Sequence, residues 1–237
     1  MPRIALYSAM GSPIQYLPHA SCQIPDLAEI LEDKFGLRAD GMFVEVGAFD
    51  GQTCSNTSFL ADLGWHGLYI EPVPAFAEMC AARHRGNAGV QVANCAIGET
   101  EKLIELHIGS VLTTADPAMK AAYGQIDWAQ SLLQGRTIPV KQVPLATVLR
   151  AAGMPKRFDL LVVDVEGGEE GVFNSFSLDD WRPRMMIVEL EDEHPSFQQF
   201  PAIVARARAL RARLQAAGYD EVFSDHVNTV FWDKRNA

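Results

Sequence analysis

The chain has 237 residues, 48% of them hydrophobic, which suits one α/β domain with decorations or at most two small domains. With 30 acidic against 20 basic side chains and a net charge of −10, it lacks the basic surface that a nucleic-acid backbone asks of a main partner. No apolar run approaches the length of a membrane span, Met1–Met10 lacks the apolar core of a signal peptide, and Cys22, Cys54, Cys80 and Cys95 form no C-x-x-C pair, so the expectation is a soluble cytoplasmic protein with free thiols.

Residues 1–40 read as an N-terminal extension. Prolines at 13, 18 and 25 keep its first part irregular, and Leu27, Ile30, Leu31 and Phe35 give Asp26–Phe35 helical spacing that Gly36 ends. From residue 41 onward, short apolar runs alternate with helical stretches. The predicted strands are Met42–Val46, Gly67–Ile70, Val90–Ala93, Leu160–Val163 and Met185–Val188. The predicted helices are Thr53–Leu63, Ala75–Arg85, Leu145–Ala152, Glu169–Phe176 and Pro201–Ala217. Such alternation implies a parallel sheet covered on both faces, with continuously apolar strands. Tyr219–Ser224 and Thr229–Trp232 have too short a link for a helix and are expected as an antiparallel C-terminal hairpin. Arg206, Arg208, Arg211 and Arg213 fall at helical spacing and are read as a solvated helix face. Residues 109–137 break the alternation and carry Tyr123 and Trp128, and are read as a lid or substrate-specificity segment over the acceptor pocket, with a surface excursion containing a short helix as the alternative.

Four motifs carry chemistry. The first, Phe43-Val44-Glu45-Val46-Gly47-Ala48-Phe49-Asp50-Gly51, runs an apolar strand into a glycine turn with G-x-x-x-G spacing rather than the dinucleotide G-x-G-x-x-G. Glu45 and Asp50 would repel a pyrophosphate but suit the sulfonium and ammonium of S-adenosylmethionine (SAM). In the second, Glu71 follows the next strand, where an acid reaches a nucleotide's ribose hydroxyls. The third, Asn94-Cys95-Ala96-Ile97-Gly98, ends the third strand, and Asn94 either offers a donor and an acceptor to an adenine edge or serves the strand-to-turn junction. The fourth, Asp164-Val165-Glu166-Gly167-Gly168-Glu169, lies at the carboxyl end of a buried strand, where ligands of open α/β sheets bind. Glu189 and His194 follow the fifth strand. Asp164, Glu166 and His194 are the candidate catalytic groups. No metal is assigned, although Asp164, Glu166 and Glu189 offer hard oxygen ligands that suit Mg²⁺ and leave a metal-assisted methyltransferase open. An NAD-dependent oxidoreductase and a non-catalytic SAM-binding module also stay open on the residues alone.

As a set, F-V-E-V-G-A-F-D-G-Q-T-C-S-N-T-S-F-L, G-W-H-G-L-Y-I-E-P-V-P, N-C-A-I-G and V-D-V-E-G-G-E resemble the FkbM family of SAM-dependent methyltransferases. The resemblance covers about residues 41–189 and implies a Rossmann-like α/β SAM-binding fold and O-methylation of a sugar or secondary-metabolite hydroxyl, and the methyltransferase domain is read over residues 41–237. By position it implies that Glu45, Gly47 and Gly51 line the methionine part of SAM, that Glu71 holds the ribose, and that Asn94 and Ala96 lie on the adenine side. Asp164 and Glu166 then face the reaction centre. Ser55, Asn56 and Thr57 match the family's Ser-Asn-Thr, with Ser55 a cofactor contact or a helix cap. Phe49 stands where the family usually has Asn.

Overall fold

The computed structural model describes residues 14–236, so the readings of Met1–Met10 and Pro13 lie outside it. In chain order the elements are α1 (Leu27–Phe35), β1 (Met42–Val46), α2 (Ser58–Leu63), β2 (His66–Ile70), α3 (Pro74–His84), β3 (Val90–Ala93), β4 (Ala96–Ile97), β5 (Lys102–Ile108), α4 (Pro117–Tyr123), α5 (Asp127–Gln130), β6 (Arg136–Val143), α6 (Leu145–Ala151), β7 (Arg157–Val163), α7 (Glu169–Asn174), β8 (Arg182–Glu189), α8 (Pro201–Ala216), β9 (Tyr219–Ser224) and β10 (Asn228–Asp233).

Seven strands form one sheet in the order β3-β2-β1-β7-β8-β10-β9. All neighbours are parallel except β10, which runs antiparallel to both β8 and β9. The C-terminal hairpin is therefore present. It starts its second strand at Asn228, because Asp225 Oδ1 accepts the N–H groups of Val227 and Asn228 at 2.7 and 2.6 Å and tightens the link.

Alternate residues of each central strand serve opposite faces. Val44, Val46, Leu161, Val163, Met186 and Val188 pack in the layer with α6, α7 and α8. Phe43, Leu160, Val162, Met185 and Ile187 pack in the layer with α1, α2 and α3. At the far edge, Arg182 holds the buried Asp233 through Nε and Nη2 at 2.9 and 2.7 Å, tying β8 to β10.

The N-terminal extension joins this second layer. Ile24, Leu27 and Leu31 are fully buried, and the Tyr16 hydroxyl donates to the Gly36 carbonyl at 2.8 Å. Helix α2 begins at Ser58 rather than at the predicted Thr53. The side chains of Asp50 and Ser55 bind nearby backbone N–H groups and hold residues 50–57 in turns, and Cys54 has φ 61°. The arginine run is only partly a solvated face. Arg208 is exposed, whereas Arg206 pairs with Asp116, Arg211 with Asp192 and Glu221, and Arg213 bonds the Phe173 carbonyl.

A second sheet, ordered β4-β6-β5, flanks the 109–137 segment. Strands β5 and β6 are additions to the sequence reading. Between them, α4 and α5 build a separate apolar cluster in which Met119, Tyr123 and Ile126 meet Phe197, Ile203 and Val204 from the chain after β8.

Candidate active site

The parallel register brings the carboxyl ends of β1, β2, β7 and β8 level. Val46 pairs with Ile70 on one side and Val163 on the other, and Val163 pairs with Val188. Glu71, Gly47, Asp164 and Glu189 each follow or end one of these strands, so they share one rim of the sheet. Gly47 has φ +94°, and a Cβ there would lie 1.6 Å from the Asp164 carbonyl oxygen, so the first turn is pressed against the end of β7.

Above this rim lies a cavity of about 680 Å³. The second sheet and the α4–α5 segment complete its wall through Leu106, Leu112, Tyr123 and Trp128. Glu45, Glu71, Asp164, Glu166, Glu189 and Glu191 all face it, against the cations Lys102 and Arg206. Arg206 is itself paired with Asp116 at 2.5 Å.

Burial dominates the chemistry of these acids. It raises Glu45 from 4.5 to about 7, against hydrogen bonds donated by Thr57 and by Ser55, the latter at 3.0 Å. It raises Glu71 to about 7 as well, although Val73 N–H and Phe49 N–H donate to its two oxygens at 2.8 and 2.9 Å. Glu166 and Glu189 are pushed well above the usual carboxyl range, first by burial and then by the Asp164 charge. Glu166 receives the Tyr123 hydroxyl and has φ 56°, a left-handed conformation that costs a non-glycine residue energy. His194 Nδ1 accepts the Ser196 N–H at 3.1 Å, and burial holds the ring's pKa below its ordinary value. The neutral ring thus carries its proton on Nε2.

Of the residues singled out from the sequence, Glu45, Gly47, Glu71, Ala96, Asp164, Glu166 and His194 line the cavity. Asp50, Gly51, Ser55 and Asn94 do not line it. Asp50 closes a turn through Gln52 and Thr53 N–H, and the space a Gly51 side chain would need is filled by Cys80 and His84. Asn94 Nδ2 donates to the carbonyls of Glu71 and Pro72 at 2.9 and 3.0 Å. Ser55 Oγ donates to Glu45 and accepts the Ser58 N–H at 3.0 Å, joining the start of α2 to β1. Ser55→Ala should therefore lower unfolding free energy by about 1–2 kcal/mol in urea titration, the worth of a lost cap with its buried partner. A mutant of unchanged stability that binds cofactor poorly would make Ser55 a ligand contact instead.

Phe49 has φ 47°, a backbone position that Asn tolerates better, and its ring meets Phe76 edge-on at 4.5 Å on the cavity wall. The sequence reading missed Gln23, Glu191 and His226. Gln23 Nε2 donates to Asp164 Oδ2 at 3.2 Å from 141 positions away, and nothing local announces it. Glu191 had a signal, since Glu189-Leu190-Glu191 repeats the acid-x-acid spacing of Asp164-Val165-Glu166.

A mostly parallel α/β sheet with an acid-rich cleft at its strand ends is an architecture of the Rossmann-like class, in which ligands bind at the carboxyl ends of the strands. The Methyltransferase FkbM domain description matches residues 45–221, well over half of the sequence, and the chain belongs to that family. No curated protein matches it significantly. Among solved structures it is similar to an O-methyltransferase from Bacillus cereus in complex with SAH, at 11% identity over 91% of this chain and 84% of that one, with a TM-score of 0.48. It is also similar to the O-methyltransferase TomG from Streptomyces achromogenes in complex with SAM, at 17% identity over 89% and 83%, TM-score 0.46. Fibrillarin from Aeropyrum pernix with natively bound SAM is similar at 10% identity over 86% and 71%, TM-score 0.43. These likenesses are loose, and membership of the family does not depend on them.

Proposed function

We propose that the protein is a SAM-dependent O-methyltransferase acting on a hydroxyl of a small molecule such as a sugar or secondary metabolite. The observation that carries this reading is the acid-rich cleft at the carboxyl ends of β1, β2, β7 and β8 in a methyltransferase family member. The residues fit a cationic nucleotide-like ligand. Buried carboxyls outnumber the cations around them, and Glu189 Oε2 is buried with no hydrogen-bond partner. A pyrophosphate in the same place would meet Glu45 and Asp164, which disfavours NAD. The four cysteines are free, which fits a reducing compartment such as the cytoplasm. Among the described residues no helix is long and apolar enough to cross a membrane.

In this reading Glu71 holds the ribose, Ala96 with Ile97 borders the adenine, and Glu45 with Asp164 faces the methionine end. When bound, SAM supplies an electrophilic methyl group. Glu166 takes the acceptor's proton as its oxygen attacks, and the Tyr123 hydroxyl keeps that carboxylate in place. His194 presents its Nε2–H to the acceptor as a donor. Tyr123, Trp128 and Leu112 cover the acceptor end and exclude water.

Calorimetry with SAM, SAH and NAD tests the cofactor, followed by labelled methyl transfer to hydroxylated small molecules. SAM and SAH should bind and NAD should not. Glu71→Ala should weaken SAM binding by about 2–3 kcal/mol, the worth of charge-assisted bonds to ribose hydroxyls. Unchanged SAM affinity in the folded mutant would take Glu71 out of the site.

A further inference from the structure

Glu189 ends β8, Glu191 follows two residues later, and Glu169 opens α7. Carboxylate oxygens of these three residues lie within 4.8 Å of one another. Glu169 and Glu191 are 5% and 6% exposed. Two oxygens in the group, Glu189 Oε2 and Glu191 Oε1, are buried without any hydrogen-bond partner. Arg206 lines the same small hollow as Glu169 and Glu191, but its guanidinium is paired with Asp116. Arg206 reaches Glu191 only through its charge, so two oxygens of the three clustered carboxyls stay without a hydrogen-bond partner, and leaving such atoms unsatisfied is costly.

We propose that Glu169, Glu189 and Glu191 form a seat for one divalent cation of the hard, oxygen-seeking kind, Mg²⁺ or Mn²⁺. Such an ion has bonds of about 2.0–2.2 Å, which place its oxygen ligands about 3 Å apart in cis and about 4 Å apart in trans. The observed spacing meets that with small side-chain adjustment. All three donors are carboxylates, with no sulfur or imidazole among them, which favours these ions over Zn²⁺. Glu169 is prepared for the role, because Val165 and Gly167 N–H donate to its Oε1 at 3.1 and 3.2 Å and hold the carboxylate in one orientation.

A rival seat shares Glu189 with Asp164 and Glu166 on the cavity side. There Asp164 already receives Gln23, and Glu166 already receives Tyr123. The orphaned Glu191 oxygen selects the inner seat. A cation there would fix Glu189 and Glu191, which both also face the cavity, and so would stiffen its acceptor end. The inference is independent of the methyl-transfer reading, because its test needs neither cofactor nor acceptor.

The probe is Mn²⁺ alone, added to the full chain and followed by electron paramagnetic resonance, where binding removes the six-line signal of the free ion. Wild-type protein should bind one Mn²⁺. Glu191→Gln and Glu189→Gln should weaken binding at least tenfold, while Asp164→Asn changes it less than about threefold. Circular dichroism reports whether each variant is folded, and Glu191→Asp, which keeps a carboxylate, should retain more binding than Glu191→Gln. Absence of Mn²⁺ binding by the folded wild-type chain overturns the proposal. So does a loss in Asp164→Asn as large as that in Glu191→Gln, which would put the ion in the cavity seat.

Discussion

Glu166→Gln should cut methyl-transfer turnover by about a hundredfold or more while the protein still binds cofactor, the usual worth of a general base. The substitution is nearly isosteric, so it removes charge and basicity and leaves shape. Three observations single out this acid. It faces the cavity, it is held in a left-handed backbone conformation between β7 and α7, and burial raises its pKa well above the ordinary range. A carboxylate with a raised pKa is the stronger base when ionised, and a positive ligand beside it favours ionisation. Tyr123→Phe provides a second arm. The hydroxyl's hydrogen bond lowers the Glu166 pKa, so its loss should shift the acidic limb of the pH–rate profile to higher pH. Asp164→Asn, tested in parallel, reports on the neighbouring charge. Near-normal turnover in both Glu166→Gln and Asp164→Asn would make these acids structural and move the base to Glu189 or His194.

The main sheet was legible because its strands are continuously apolar and its helices carry clear stops. Met42–Val46 and Val90–Ala93 match their predicted bounds to the residue, and Gly36, at φ 68°, does end α1. Strands β5 and β6 were not legible. They lie in a small sheet that is exposed along much of its length, with Leu103 74% exposed, and β6 contains Pro139, which argues against a strand in most settings. The start of α2 is misplaced from sequence because Ser55, Asn56 and Thr57 can either continue a helix or hold its end, and only the position of Glu45 decides. The rim acids were visible as strand-end residues, and the resemblance to the FkbM family rested on them. Their mutual spacing was not visible, since it depends on the level register of β7 with β8, and Gln23 reaches Asp164 only through the fold. The arginine run reads as solvated because helical spacing reports a face and not its partners. Asp116 and Asp192 come from other elements.

The ligand-free protein should be more stable at pH 5 than at pH 8, by about 3 kcal/mol or more. Glu45, Glu71 and Glu169 are raised from 4.5 to about 7 in the folded state by burial. Between those two values the folded chain binds more protons than the unfolded chain, so stability falls as pH rises through that window. One group moved that far accounts for about 3 kcal/mol. Glu166, Glu189 and Glu191 are pushed up in the same direction and prolong the decline above pH 7. One effect opposes it. His84 and His194 are lowered from 6.5 by burial, so each contributes stability that is lost as pH falls below 6.5. The six acids outnumber them. Asp40, Asp62 and Asp233 are lowered from 3.8, and their contribution is already complete at pH 5, so it does not tilt the window. Urea denaturation at pH 5, 6, 7 and 8 measures the slope directly. Glu45→Gln should flatten it by removing one proton from the difference, because an amide keeps the acceptor for Ser55 and Thr57 but does not titrate. A cationic ligand that settles among these carboxylates should stabilise the protein more at pH 8 than at pH 5, since it meets more ionised groups there. Stability that stays level or rises from pH 5 to pH 8 would mean that the buried acids ionise at little cost, and the electrostatic account of the cleft would have to be abandoned.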